Sequence, residues 1–356
     1  MNTAMTDDMN NDIAIGVLLA DQVERLLERE VTRERLIAVE QDNFDNALWQ
    51  ALETLGITLA LAPEAAGGAG LRWEDAEPAL RAAGGRAAPV PLGETLLATW
   101  ALGHAGLEIP PGPIAVAQAL FQLDGDRRLS GGDAVVPWIA HCQHLVVVAE
   151  SAGEHFICLL ERNDLEFDGV ETLARIPSSR VAAEAVRPAA TAAAPGLGEL
   201  GLLPAIAAVR TVQMAGILDR LLALCVEYGN TREQFGRPIG KFQAIQHLLA
   251  DLAAQTAAAQ VAGLFACRQL DRGNGEYGAA VAKARVGTAA TRGAETAHQI
   301  FGAIGFTDEH ILHYYSRRLW QWRDEAGSEH WWAERLGRQL LANDGQALWE
   351  SIVNHG

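Results

Sequence analysis

The segment Arg232-Glu-Gln-Phe-Gly-Arg-Pro-Ile-Gly-Lys-Phe-Gln243 sets side by side the residue types that hold a phosphorylated planar ligand. A guanidinium gives phosphate oxygens a charged, forked donor, and an aromatic side chain gives a ring a flat apolar face. Arg232 and Phe235 supply these two parts, Gly236 a flexible joint, and Pro238 and Gly240 a turn before a helix that starts at about Phe242. The same residues would also serve as an ordinary helix–helix connection. A second motif, Gln299-Ile-Phe-Gly-Ala-Ile-Gly-Phe-Thr-Asp-Glu-His310, places a Gly-x-x-Gly turn, Gly302 to Gly305, between two helical stretches.

These segments need elements to hold them. Leu200 to Asn230 reads as helical, and a further helix runs from about Phe242 to Leu270 with Ile245, Leu248, Leu249 and Leu252 on one apolar face. Arg272-Gly-Asn-Gly275 ends that helix, and Ala279 to Phe301 forms another. From Ile13 to about Gln118 the pattern is again helical, broken by Pro- and Gly-rich joints at Pro63–Gly70 and Pro89–Pro91. Between these regions the period changes. Leu145–Ala149 and Phe156–Leu160 are short apolar runs flanking Ser151-Ala-Gly-Glu154, the pattern of a β-hairpin, and Pro188–Gly198 reads as a linker. The expectation is a mainly α protein with a small central β domain: an N-terminal helical domain over 1–118, a reduced middle β domain over 119–195 and a C-terminal helical bundle over 196–356.

Composition narrows the function classes. A chain of 356 residues can form two or three domains. A formal net charge of −17 excludes a broad nucleic-acid surface, which needs clustered Lys and Arg. Met1 to Asp12 is polar and acidic and no signal peptide is expected there; no apolar run reaches membrane-spanning length. A cytoplasmic protein without a membrane partner is therefore expected. Cys142, Cys158, Cys225 and Cys267 lack Cys-x-x-Cys spacing and fit reduced core residues better than zinc ligands or a catalytic thiol. His247, His298 and His313 share no metal-ligand spacing, so no metal site is expected.

Together with Ala62-Pro-Glu-Ala-Ala-Gly-Gly-Ala-Gly-Leu71, the two motifs resemble the acyl-CoA dehydrogenase family, flavoproteins that desaturate acyl thioesters between Cα and Cβ. The family pattern is R-x-x-F-G followed by Q-x-x-G-G-x-G-[FY]-x-x-E, at a spacing that Arg232 and Gln299 keep; P-E-x-x-G-G-x-G-L is its third element. The resemblance covers most of the chain, strong from about 200 to 320 and weak from about 110 to 195. It implies the family fold, in the order helical domain, β domain, four-helix bundle, and FAD as cofactor. It also implies roles: Arg232 against the pyrophosphate, Phe235 beside the adenosine, Gln299 and Gly302 along the backbone approach, Gly305 completing the turn. Ala303 replaces the second family glycine. In the family these segments reach across a subunit boundary to the ADP half of a flavin seated mainly in the neighbour.

The parts that seat the ring and do the chemistry are missing. No T-E-P-x-x-G-S-D-like or W-[IV]-[ST]-N-like segment occurs, and Leu129-Ser-Gly-Gly-Asp-Ala-Val-Val-Pro-Trp138 keeps only a trace of the strand that would follow. Desaturation needs a carboxylate to take the α-proton. The family's E-G-T segment falls on Ala326-Gly-Ser328, and the alternative place for the Glu falls near Ile206. Neither is a carboxylate. A register slip of one would make Glu325 the base, with Asp324 and Glu329 next to it and Glu199 in the linker, although a turn such as Arg323–Glu329 usually faces water.

A chain that keeps what it gives a partner and lacks what it needs for itself resembles the non-catalytic subunits of heteromeric bacterial acyl-CoA dehydrogenases, such as those of sterol side-chain breakdown. His310-Ile-Leu-His-Tyr-Tyr-Ser-Arg-Arg318 suits that branch, with Arg317 and Arg318 as structural ion-pair residues. The implied partners are a homologous flavin-seating subunit in a heterotetramer, a steroid-derived or branched acyl-CoA, and an electron-transferring flavoprotein as acceptor. The acidic composition admits coenzyme A, whose phosphates need only a local patch. Two alternatives stand beside this reading: a self-sufficient homotetrameric dehydrogenase or oxidase with Glu325 as displaced base, and a flavin-free scaffold of the same fold. Trp320, Trp322, Trp331 and Trp332 fit either bundle core or interface anchors.

Overall fold

The structure, a computed structural model, describes residues 2–342 together with 349 and 353; the rest of the expected 196–356 region lies outside the described residues. The chain divides into two compact units, Met1–Ile206 and Ala207–Gly356.

The first unit opens with five helices, α1 (Asn2–Glu30), α2 (Arg33–Glu40), α3 (Asn46–Thr54), α4 (Trp73–Gly85) and α5 (Leu92–His104). The Asp45 carboxylate accepts from the Leu48 amide at 3.0 Å and caps α3, satisfying a donor that the first helical turn leaves without a carbonyl. The Pro63–Gly70 joint separates α3 from α4, and Trp73, Leu80, Leu92 and Leu96 of the next two helices are fully buried.

Seven strands follow: β1 (Ile114–Leu123), β2 (Leu129–Pro137), β3 (His144–Ser151), β4 (Glu154–Glu161), β5 (Glu166–Gly169), β6 (Ser178–Val186) and β7 (Ala190–Ala193). They form a single 7-stranded sheet in the order β5-β6-β2-β1-β3-β4-β7, in which β1 and β3 run parallel and the other neighbours antiparallel. The expected hairpin is β3–β4, with Val146 opposite Leu159 and Val148 opposite Ile157. Two boundaries need correction. β1 straddles the expected limit between 118 and 119, and the stretch expected to be a linker contains edge strand β7. The cause lies in composition: β2 and β7 are rich in Gly, Ser and Ala, whose small side chains show no alternation, and their place is set by the neighbours that pair with them.

The register of β1 shifts between Val116 and Leu120. The amides of Gln118 and Ala119, released there from the ladder, both donate to Asp133 Oδ2 at 2.7 and 3.0 Å, and the Val135 amide donates to Oδ1 at 3.2 Å. A buried carboxylate thus satisfies a bulge that would otherwise bury unpaired donors.

The second unit is helical: α6 (Leu203–Thr231, entering from the end of the first unit), a short hairpin β8 (Glu233–Gln234) and β9 (Arg237–Pro238), then α7 (Gln243–Asp271), α8 (Gly275–Phe301), α9 (Leu312–Asp324) and α10 (Glu329–Ala342). Helix α8 lies among the others at backbone range. A methyl at Gly278 would overlap Gln269 of α7, one at Gly287 would overlap Glu329 of α10, and one at Gly293 would overlap Leu218 of α6. One further expectation is corrected. Helix α7 is long and apolar enough to cross a membrane by length and composition, with a mean hydropathy of 1.3 and 28% of that window buried. Polar residues interrupt its alanines and leucines, so its apolar character lies in the average over the helix and in no uninterrupted run.

Asp133→Ala removes the acceptor for the Gln118 and Ala119 amides, and a loss of about 2–3 kcal/mol is expected, since bonds to a charged group contribute ~1.5–3 kcal/mol and buried donors are left unpaired. Urea unfolding checks this; an unchanged midpoint would mean that the bulge is satisfied in another way.

Candidate functional site

Helix α6 ends by passing its chain into the hairpin. The Arg232 amide donates to the Tyr228 carbonyl at 2.8 Å, and the Arg232 carbonyl accepts from Ile239 N at 2.8 Å, closing a two-residue turn at Phe235-Gly236. Both turn residues have positive φ, 52° and 77°, the geometry that matches the twist of a tight hairpin. Glycine adopts it without strain, whereas a phenylalanine there costs ~1–3 kcal/mol. Phe235 is also 91% exposed, and Arg232 is exposed beside it in sequence. The Phe235 ring meets Phe242 edge-on at 6.0 Å, and Arg237 lies over the other aromatic, its guanidinium 4.2 Å from the Phe242 ring centre. The hairpin thus presents a strained, exposed aromatic with Phe242 and the Arg237 guanidinium close by, an arrangement that can face a planar anionic ligand.

The second motif forms at the end of α8. Gly302 donates its amide to the His298 carbonyl and adopts φ 62°, ψ −141°, a conformation open to glycine, and a tight turn over Gly302–Phe306 follows. Gly305 is buried, and a methyl there would sit 2.9 Å from Leu312 and 3.1 Å from Phe301. Gln299 is exposed on the last turn of α8, and Phe306 is 72% exposed. Ala303, in the place of the second family glycine, is exposed and has room. One residue that the motifs did not reveal ties the segments together. Tyr228, whose carbonyl holds Arg232, stacks its ring on Phe301 at 4.5 Å.

At the two places to which the family resemblance assigns a base, the structure has hydrocarbon. Ala326 is 1% exposed, with φ 56°, and its carbonyl accepts from Trp332 Nε1 at 2.8 Å. Ile206 is likewise buried. The turn after α9 does not simply face water, as expected for Arg323–Glu329, because a fully buried lysine lies beneath it. Lys283 Nζ of α8 donates to the carbonyls of Trp322, Arg323 and Glu325 at 2.7, 2.9 and 2.7 Å. These are carbonyls that a helix C-terminus leaves without donors, and a cation there also meets the negative end of the helix dipole. An ammonium has one hydrogen for each. Burial pushes Lys283 down to about 7, against the pull of the Glu325 carboxylate.

Glu325 is committed elsewhere. Its Oε1 accepts from Arg210 Nε at 2.6 Å, both side chains largely buried, and Arg210 Nη1 donates to Gln213 at 2.8 Å. Glu329 and Asp324 flank Arg323 at 3.9 and 3.1 Å. Glu199 lies in the segment before α6. Lysine is rare in this chain, occurring at 241 and 283, and the second stands in an alanine-rich helix. That lysine among small residues, in a chain whose other cations are almost all arginine, was the available sequence signal.

Other residues fall out as follows. Trp322 and Trp332 are core, with Arg210 and Arg318 over the Trp322 ring at 5.2 and 5.7 Å, while Trp331 is exposed. Arg317 donates to the His313 carbonyl and lies over Tyr314. The four cysteines are buried thiols, and burial pushes Cys158 up to about 11 and Cys225 up to about 12. Among the described residues no group of three or more His, Cys, Asp or Glu is placed to hold a metal ion.

Comparison with known proteins places these features in context. Residues 204–340 match the family model described as acyl-CoA dehydrogenase, C-terminal domain. The chain is 31% identical over 282 residues to acyl-CoA dehydrogenase IpdE2 of Mycobacterium tuberculosis, covering 77% of this chain and 80% of that protein. Among solved structures, the steroid ACAD Tcur3481-Tcur3483 G363A variant superposes with a TM-score of 0.83 at 28% identity, over 93% of this chain and 99% of that one. The ChsE4-ChsE5 complex of Mycobacterium tuberculosis superposes with a TM-score of 0.78 at 24% identity, over 92% of this chain and 97% of that one, a likeness of fold.

Lys283→Met is expected to cost about 3–5 kcal/mol, because it strips three buried carbonyls of their donor and leaves the Arg210–Glu325 pair without its neighbouring charge. The pH dependence has a definite sign. Between about 7 and the ordinary value of 10.5 the unfolded chain carries a proton on Lys283 that the native chain lacks, so native stability rises with pH across that window. Thermal unfolding of both proteins should show their difference widening from neutral pH upward and constant below it; a constant difference throughout would refute the buried-lysine account.

Proposed function

Because this chain belongs to the acyl-CoA dehydrogenase family, we propose that it is the subunit that completes the FAD site of a homologous partner chain in trans, within an enzyme that desaturates an acyl-CoA thioester. The observation that carries the proposal is a separation of parts. The segments for the ADP half of FAD are formed and exposed, whereas both places for a base hold buried hydrocarbon, Ala326 and Ile206. FAD, when bound, supplies the acceptor for the hydride that leaves Cβ. The residues here fit that group: Arg232 would hold the pyrophosphate, Phe235 would cover the adenosine, and Gln299, Gly302 and Gly305 would shape the backbone approach.

The chain's own work is binding. An exposed Phe235, Ile304 and Phe306 leave apolar area in water that a ligand and a partner would cover, at about 25 cal/mol per Å². Helix α7 adds Ala250, Ala254, Ala257 and Val261, all exposed along one side. That spacing lets another helix approach closely, and a partner chain of the same fold accounts for it without a membrane. The name of the steroid ACAD joins two proteins, which supports a heteromer acting on a steroid-derived or branched acyl-CoA; we read the assembly as a heterotetramer with an electron-transferring flavoprotein as acceptor.

The competing reading with Glu325 as base is disfavoured by geometry. A general base has to present its carboxylate to the substrate proton, and this one is bound by Arg210 at 2.6 Å.

In the complex purified with its partner, Arg232→Ala should weaken FAD binding by ~1.5–3 kcal/mol, about tenfold to a hundredfold, from the loss of charge-assisted phosphate bonds. Flavin absorbance after dialysis reports it, and unchanged retention would remove Arg232 from the site. Glu325→Gln in the same complex should leave turnover within about threefold, since a true general base contributes a far larger factor, roughly 10²–10⁴. A collapse of turnover in folded protein would reinstate Glu325.

A further inference from the structure

His298 is the residue before Gln299, 8% exposed and fixed on two sides. Its ring lies between Phe306 at 4.4 Å and Trp320 at 5.6 Å, nearly parallel to the indole at 8°. Its Nε2 is 3.0 Å from Ser316 Oγ, and that hydroxyl has the Leu312 carbonyl as acceptor at 3.3 Å. With the hydroxyl proton directed at Leu312, Nε2 carries the imidazole hydrogen and Nδ1 is a bare lone pair. Nδ1 is buried without a partner and points at the turn: a methyl on Gly305 would sit 3.4 Å from it. The carbonyl of the same residue accepts the Gly302 amide. Backbone, ring and Nδ1 therefore each meet a different residue of the glycine turn.

We infer that His298 is a positioning residue, which sets the Gly302–Phe306 turn, and with it Gln299, for the dinucleotide, and that the turn opens when its ring takes a second proton. This rests on the trans-site reading for its ligand, but not for the behaviour of the turn. A second proton would place an N–H at Nδ1 in a dry space with no acceptor, which costs ~1–3 kcal/mol and is relieved if the turn moves off Gly305 and admits water. Burial already holds the ring below the ordinary 6.5, so the neutral form belongs to the closed turn and the charged form gains as pH falls below that value.

The groups touching the ring, Gly305 and Phe306 of the turn and Ser316 and Trp320 of α9, do not titrate in this range. The ionisable residues on those elements are Asp308, Glu309 and His310 after the turn and His313, Tyr314, Tyr315, Arg317, Arg318, Arg323 and Asp324 on α9. His310 lies against Phe301 at 4.4 Å and is also pushed down by burial and by His313, so it is the competing source of a proton effect.

Amide hydrogen exchange of Gly302 and Thr307 in the full-length chain tests the inference, because their bonds to His298 O and Ile304 O close the turn. In wild type, protection corrected for intrinsic rates should fall roughly tenfold between about pH 7.5 and about pH 5, the range in which an imidazole changes charge. His298→Phe fills the stack but cannot be protonated, and should keep its protection across the range. His298→Ala should lose it at both ends, and His310→Asn should behave as wild type. In the complex with the partner, the FAD dissociation constant should rise roughly tenfold over the same interval in wild type and stay flat in His298→Phe. Protection in wild type that ignores pH, or a pH response that survives in His298→Phe or vanishes in His310→Asn, overturns the inference. Exchange as expected, with FAD affinity indifferent to pH and to Arg232→Ala, supports His298 control of the turn and overturns the trans-site reading instead.

Discussion

The second unit depends on one constraint, the closeness with which other helices approach the backbone of α8. At Gly278, Gly287 and Gly293 a single added methyl would collide with α7, α10 and α6 in turn. Neighbouring side chains lie directly against the α8 backbone at these three positions, so the helix position tolerates little error. Lys283 can therefore cross to the end of α9, and His298 and Phe301 can meet their partners at ring-stacking distance. Both the turn after α9 and the candidate dinucleotide turn hang from this one helix.

The chemistry of the turn after α9 follows from that placement. A family member that carried out proton abstraction would need an available carboxylate there. This chain closes the region with Ala326, the Trp332 indole and a buried cation that holds three carbonyls. Glu325 becomes a counter-ion for Arg210, and the buried charges are acceptable because each has a partner. Elsewhere in the unit stability is given up: Phe306, after the C-terminal end of α8, is exposed, and Phe235, in the hairpin between α6 and α7, is exposed and strained.

Much of this architecture was legible in the residues. The helical periods of α6, α7 and α8, the hairpin β3–β4 and the Pro- and Gly-rich joints follow from patterns that act within a few positions, and the family likeness follows from motifs around Arg232 and Gln299. The strand β7 was not legible and β2 showed only as a trace, since Gly, Ser and Ala carry no alternation, and β1 was cut by an expected boundary because its start at Ile114 resembles the preceding helical pattern. The membrane-length character of α7 escaped notice because it is a property of the mean and not of any one run.

The sequence by itself determined which side chains were present to do chemistry: a guanidinium and an aromatic before a helix, and a glycine turn after one. Those are facts of residue type and spacing, and local interactions are enough to express them; that alanine and isoleucine stand where a carboxylate would act is what the family resemblance implies. The tertiary structure alone decided what the remaining groups are committed to. Glu325 lies 115 positions from Arg210 and Lys283 reaches 42 positions to the Glu325 carbonyl, while His298 meets Ser316 from 18 away. Such pairings exist because close-packed helices bring distant segments within hydrogen-bond range, where burial removes competing water and fixes each group's partner.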